Sequence, residues 1–187
     1  MKSLLLFVLM MSSLCVYAKE YDFRNVNWGM SKAEVKKSEK AKLYKESNEL
    51  IVYSSKILGK NVIIMYIFTQ NKLVRAKYGV TEEHSNKNRY IDDYDDLKGV
   101  LIKKYGKPIT ENEYWENDLF KDNYQNWGVA ISVGHLSYFT NWETNSTKLI
   151  LGLYGENFDI KCVVEYISKE YEQAEEDENE KKDLKDF

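Results

Sequence analysis

Few side chains in this sequence could carry out metal or bond-making chemistry. Its 187 residues include two histidines, His84 and His135, which lie far apart in the sequence. Neither an HExxH nor a CxxC motif is present, so the usual ligands of a structural zinc site are missing. Aspartates crowd residues 92–96, but that stretch lacks the glycine turn and the closing glutamate of a calcium loop. We therefore predict no metal site.

The patterns typical of nucleophilic enzymes and of nucleotide-binding loops are also missing. No GxSxG, SxxK, GxxxxGK[ST] or GxGxxG pattern occurs. Cys162 falls in an alternating apolar run, residues 158–168, which predicts a buried thiol. We therefore expect no catalytic residue and no cofactor. A glycan or peptidoglycan hydrolase that uses two carboxylates stays open, because a sequence does not show how far apart its acids lie.

Aromatic residues are the most unusual feature of the composition, at 14% with 15 tyrosines. Tyrosine and tryptophan combine a large apolar surface with a polar group, so they suit both a core and a recognition surface. They cluster in residues 114–127, and more follow in residues 136–143. We select Trp115, Tyr124, Tyr138 and Trp142 as candidate contact residues. The alternative is that these rings form the core of a small sheet domain and its rim.

The element expected to support this surface is a long amphipathic helix over residues 90–105. Its apolar residues recur at steps of three or four: Ile91, Tyr94, Leu97, Leu101 and Tyr105. That spacing places them on one stripe of a helix. Acidic residues crowd the first turns and lysines the last, as the helix dipole favours. Gly106 and Pro108 then end the helix.

The other segments predict an α+β fold in which antiparallel sheet is covered by helices. Ser31 and Glu34 form a capping box at the start of a first, short helix. Runs of strand-forming residues between tight turns predict strands at residues 49–58, 62–69, 73–80, 127–133, 136–143, 148–154 and 158–168. Residues 115–126 receive no assignment. The order α-βββ-α-βββ(β) leaves open two tandem αβββ halves, in one sheet or two.

The two ends of the chain differ in composition from its middle. Lys2, the apolar run at residues 4–11 and Ala18 match a secretion signal, residues 1–18. The bulky Leu14 before Cys15 argues against a lipid anchor at that cysteine. Residues 19–168 are long enough for a single α+β domain. Residues 169–187 hold nine acids and four lysines, which predicts an acidic tail that is disordered or a frayed helix.

Three segments together resemble an uncharacterised family of exported bacterial proteins. They are VNWGMSKAEV at residues 26–35, YGKP at residues 105–108 with Trp115 downstream, and TKLILGLYG at residues 147–155. The first segment is also similar to the openings of the SmpA/BamE outer-membrane assembly lipoproteins and of the β-lactamase inhibitory proteins. In those modules a second helix precedes the sheet, whereas here it is expected only after three strands. The resemblance implies a non-enzymatic role in contacting another protein, and no individual functional residue is carried over.

These observations together favour an exported, periplasmic or secreted binding protein without catalytic activity. The lack of a basic stripe argues against a nucleic-acid partner, and the acidity of the chain lies in residues 169–187. The expected partner is another protein or a component of the cell envelope, and no transmembrane segment is expected once the signal is removed. The alternatives are the two-carboxylate hydrolase and a structural envelope protein without a discrete ligand.

Overall fold

A computed structural model describes residues 20–184, so the predicted secretion signal lies outside the described residues. The first half of the chain forms α1 (Lys32–Ser38), β1 (Lys42–Glu46), β2 (Leu50–Ile57), β3 (Lys60–Thr69) and β4 (Lys72–Val80). The second half forms α2 (Arg89–Tyr105), β5 (Thr110–Trp115), α3 (Trp127–Ser132), β6 (Leu136–Glu143), β7 (Thr147–Glu156), β8 (Asp159–Ser168) and α4 (Glu172–Asp183). The predicted α+β class is confirmed.

The eight strands form one antiparallel sheet in the order β1-β2-β3-β4-β8-β7-β6-β5. Each half is therefore a helix followed by a four-stranded meander, with α3 inserted between β5 and β6. The two meanders join through their last strands, where residues 75–79 of β4 pair with residues 163–167 of β8. The first half thus has four strands where three were predicted, the second half has four where three or four were predicted, and the two halves share a single sheet.

One face of this sheet carries the core. The predicted stripe of α2 is confirmed, because Ile91, Tyr94, Leu97 and Leu101 are all buried. Strand register places Ile64, Tyr78, Val164 and Leu151 in one row on the same side. The capping box of α1 is also confirmed, and Val35 of α1 is fully buried in the same core. Helices α1, α2 and α3 therefore lie on one side of the sheet.

Three elements differ from the sequence-based expectations. β1 and β5 are edge strands that the sequence analysis does not assign, and the strand predicted at residues 127–133 is the helix α3. A Cβ on Gly128 would lie 2.2 Å from the carbonyl carbon of Lys87, so α3 packs directly on the backbone that leads into α2. Asn88 Oδ1 also accepts a hydrogen bond from the Gly128 amide at 2.7 Å. A short apolar run fits either element, and these tertiary contacts favour the helix.

Candidate functional site

The second face of the sheet has only a partial cover. Successive strand residues point to opposite faces, so the residues between those of the core row face away from α1, α2 and α3. Strand register aligns them across five strands as Ile63, Gly79, Val163, Gly152 and Phe139. We call this side of the sheet the open face. Its apolar members Ile63, Val163 and Phe139 are only partly buried, which is unusual for side chains of this type in a sheet interior.

A depression of about 430 Å³ lies on the open face toward the β5 edge. It is lined by Asn112, Tyr114, Phe139, Asn141, Ile150, Tyr154 and Glu165. The rim tyrosines Tyr114 and Tyr154 are 48% and 39% exposed, so the depression is open to solvent. It is a shallow site on a sheet surface, of a shape that suits a macromolecular surface better than an enclosed small molecule.

Three aromatic rings form the apolar part of this depression. The centroids of Phe139 and Tyr154 lie 6.0 Å apart with an angle of 18° between the rings. Tyr114 lies 6.2 Å from Phe139 on the other side, at 57°. A Cβ on Gly152 would lie 3.1 Å from the Phe139 ring. The missing side chain at residue 152 therefore lets the Phe139 ring lie close against the sheet.

The polar part of the depression is held by hydrogen bonds and ion pairs within the chain. Asn141 Nδ2 donates to Thr110 Oγ1 at 2.6 Å. Glu165 accepts from Arg75 Nη1 at 2.7 Å and lies 2.6 Å from Lys77 Nζ. Burial acts to raise the pKa of Glu165, but hydrogen bonds from Lys77 and Arg75 outweigh it and hold that pKa below its usual value. Glu165 is therefore an ionised structural carboxylate, which does not suit a general acid.

The end of the open face next to this depression is covered by α4. Arg75 Nε donates to Glu175 Oε2 at 3.0 Å, and Lys148 Nζ lies 2.6 Å from Glu172 Oε2. Arg75 thus joins Glu165, which lines the depression, to Glu175 of α4. The acidic tail expected from the sequence begins in the structure as a helix tied to the sheet by these two ion pairs.

The candidate contact residues do not line the depression. Trp142 is 2% exposed and its indole N–H donates to the Gly106 carbonyl at 3.0 Å, so it is a core residue beneath α2. Tyr138 is half-buried on the same side, 5.6 Å from the Tyr94 ring. The prediction of Trp142 as a contact residue is therefore wrong, because its strand position faces the helices and its side chain is buried.

The other two candidates belong to a separate aromatic cluster. Trp115 and Tyr124 lie 5.5 Å and 5.1 Å from the Trp127 ring, on the helix side of the sheet. None of the seven lining residues is among the predicted contact residues, and the aromatic ones are Tyr114, Phe139 and Tyr154. Two of them, Tyr114 and Phe139, directly adjoin Trp115 and Tyr138 in sequence. Neighbouring residues of a strand point to opposite faces of the sheet. Trp115 and Tyr138 therefore face the helices, whereas Tyr114 and Phe139 face the open side.

The two histidines and Cys162 lie outside the depression, where they contact other side chains of the fold. His84 Nε2 lies 2.7 Å from Asp93 Oδ2, and Lys60 Nζ lies 2.8 Å from Asp93 Oδ1. Burial raises the pKa of the Cys162 thiol to about 12, which keeps it protonated and poorly nucleophilic, as its strand position predicts. His135 stacks on Phe120 with ring centroids 5.8 Å apart.

Comparison with known proteins gives no match to a family model, to a curated protein or to a solved structure. Within residues 20–184, no group of three or more His, Cys, Asp or Glu side chains is arranged to hold a metal ion. In the same part of the chain, no helix has both the length and the apolar character to cross a membrane.

Proposed function

We propose that this protein is a non-catalytic binding protein that engages a partner protein through the open face of its sheet. The observation that carries the proposal is the depression of about 430 Å³, where the Tyr114, Phe139 and Tyr154 rings stay partly exposed. Aromatic residues are enriched at the centres of protein interfaces, because they supply large contact areas at low cost in side-chain entropy. Burial of these rings by a partner would supply the main favourable term.

The polar side chains of the depression favour recognition over hydrolysis. Asn112 and Asn141 offer amide groups that both donate and accept hydrogen bonds. Glu165 is the single acid among the lining residues, and Arg75 and Lys77 neutralise it. A two-carboxylate glycosidase needs a second acid across the cleft with its own protonation state. The depression therefore supports binding better than glycan hydrolysis.

The place of action that we propose is outside the cytoplasm, in the periplasm or the medium. The support is the match of residues 1–18 to a secretion signal. The resemblance of residues 26–35 to envelope and inhibitory modules points to the same class of protein-contacting role.

The proposal is tested by making the same Tyr→Ala substitution at two positions, one in the depression and one outside it. Tyr154→Ala removes a ring from the rim of the depression, whereas Tyr44→Ala removes a 73% exposed ring on the edge strand β1. Immobilised wild-type and variant proteins are incubated with cell-envelope extract, and the retained proteins are quantified. We expect a partner that wild type and Tyr44→Ala retain equally and that Tyr154→Ala loses by about tenfold or more, as for a contact near the interface centre.

Circular dichroism checks that each variant is folded. We expect both to be folded, because neither side chain belongs to the core. Retention of the same proteins by both variants, or of none by wild type, contradicts the proposal. A polysaccharide retained in a Tyr154-dependent way would instead move the function to carbohydrate binding.

A further inference from the structure

Helix α4 contacts the sheet without an apolar stripe. Its sequence, EQAEEDENEKKD, contains Ala174 as the only apolar residue between Glu172 and Asp183. Helices normally pack through a continuous apolar stripe. This helix has none, so its attachment to the sheet must come from charged groups and from the segment before it.

Two ion pairs supply that attachment. Arg75 Nε and Nη2 both approach Glu175 Oε2, at 3.0 Å and 2.9 Å, and Glu175 is only 7% exposed. Lys148 Nζ reaches both carboxylate oxygens of Glu172, at 2.8 Å and 2.6 Å. Lys72 also lies 5.2 Å from the centre of the Tyr171 ring, just before the helix.

These cations belong to the open face. Register aligns Arg75, Ile167 and Lys148 in one row across β4, β8 and β7. The next row along the strands holds Lys77, Glu165 and Ile150, two of which line the depression. The cationic row under α4 and the aromatic depression are therefore neighbouring parts of one surface.

We infer that Arg75 and Lys148 form a docking site for an acidic segment of the partner protein, and that α4 occupies this site until the partner replaces it. The inference rests on the proposed function, since it names the chemistry of the segment that the open face accepts. The argument is charge complementarity, because the two sheet cations already hold two glutamates spaced three residues apart on a helix. A partner segment with the same spacing reproduces both ion pairs, and the depression with Tyr114, Phe139 and Tyr154 lies on the same face for the rest of the partner to cover.

An attachment of this kind is displaceable. The Lys148–Glu172 pair is partly exposed and is weakened by water and salt, whereas the buried Arg75–Glu175 pair is screened less and needs another carboxylate to replace it. Helix α4 itself adds no apolar stripe that a competitor would have to overcome. Its advantage is that it is tethered, which gives it a high effective concentration at the site. A partner overcomes that advantage by burying the aromatic rings that α4 leaves exposed.

The test uses the full chain and a labelled synthetic peptide of residues 169–184 as the acidic probe. Glu172→Gln with Glu175→Gln removes the ion pairs of α4 and leaves Arg75 and Lys148 intact. Binding of the peptide is measured by fluorescence anisotropy at low salt. We expect the double variant to bind the peptide about tenfold or more tightly than wild type, because the tethered competitor is gone.

Matched variants show whether the site is the one assigned. Asp177→Asn with Glu180→Gln removes the same charge from exposed positions of α4 and is expected to bind the peptide as weakly as wild type. Adding Lys148→Gln to Glu172→Gln and Glu175→Gln is expected to remove the gain. Hydrogen exchange in wild type is expected to speed up at residues 172–183 as salt rises from about 50 mM to about 0.5 M, because screening weakens the exposed Lys148–Glu172 pair.

Equal peptide affinity for wild type and both double variants, or exchange at residues 172–183 that salt does not change, overturns the inference. Tyr154-dependent partner retention without peptide binding removes the acidic-segment inference alone. Peptide binding without a Tyr154-dependent partner contradicts the proposed function instead.

Discussion

At the scale of single residues, Glu39 shows how this fold uses a buried charge. Its side chain is 2% exposed and receives Arg24 Nε and Nη2 at 2.9 Å and 3.1 Å. Tyr66 Oη donates to the same carboxylate at 2.5 Å, and the Ala41 amide donates at 2.8 Å. Glu39 therefore ties the N-terminal segment and the end of α1 to β3, with every contact charge-assisted.

Replacing Glu39 with Gln is expected to destabilise the protein by about 1–3 kcal/mol at neutral pH, because Arg24 and Tyr66 lose their charged hydrogen-bond acceptor. Burial acts to raise the pKa of Glu39, but hydrogen bonds from Tyr66, Ala41 and Arg24 outweigh it, so the folded-state pKa lies below the usual 4.5. The ionised group therefore stabilises the fold fully above about pH 4.5, and this contribution is lost as the pH falls through the lower folded-state pKa. Urea unfolding at several pH values should show the gap between wild type and variant narrowing in acid.

The control for this prediction is Glu46→Gln. Glu46 pairs with Lys36 at 2.7 Å on the surface, where water screens the pair. Its unfolding midpoint should stay near that of wild type at neutral pH. A gap between wild type and Glu39→Gln that does not change with pH would show that the carboxylate charge is not the source of the stability.

At the scale of elements, the sequence predicts those that carry a complete local signal. α1 has its capping box, and α2 has a full apolar stripe that the sheet buries. β1 carries no such signal, because all five of its residues are exposed on an edge strand. β5 is a polar edge strand in which none of the residues is buried, so alternation is equally hard to see. The residues of the open face are equally hard to predict, because the side of β5 and β6 that stays uncovered depends on where α2 packs.

The close contact between α3 and the backbone before α2 is tested by Gly128→Ala. The added Cβ would lie 2.2 Å from Lys87 C and 2.4 Å from Asn88 N, so one backbone segment must move. We expect a loss of stability of about 1–3 kcal/mol, as for other overpacked sites. Gly99→Ala is the matched control, because a Cβ there meets nothing within 4 Å in the middle of α2.

Gly99→Ala should stabilise the protein by up to about 1 kcal/mol through the higher helix propensity of alanine. Both substitutions add one methyl group, but only the one at residue 128 meets the backbone. Guanidinium unfolding should therefore show midpoints that shift in opposite directions. A Gly128→Ala variant as stable as Gly99→Ala would mean that α3 does not pack on residues 87 and 88 as described.

At the scale of the whole molecule, the two meanders are halves of one cooperative unit. Phe23 packs between them, 5.5 Å from the Tyr66 ring of β3 and 4.8 Å from the Tyr166 ring of β8. Trp28 Nε1 donates to Thr147 Oγ1 at 2.9 Å, from the N-terminal segment to β7. The two meanders are also joined by the pairing of β4 with β8, which we call the seam. Neither half could lose its structure without exposing core side chains of the other.

Tyr166→Ala is expected to destabilise both halves together by about 3–5 kcal/mol, as for other large aromatic truncations in a core. Tyr166 is 5% exposed, and it pairs with Ala76 across the seam. Urea unfolding of the variant should move to a lower midpoint while far-UV circular dichroism and tryptophan fluorescence still report one coincident transition. Three of the four tryptophans lie in the second half, so independent halves would separate the two curves. Tyr154→Ala, on the open face, should leave the midpoint nearly unchanged, because that ring is 39% exposed and lies outside the core.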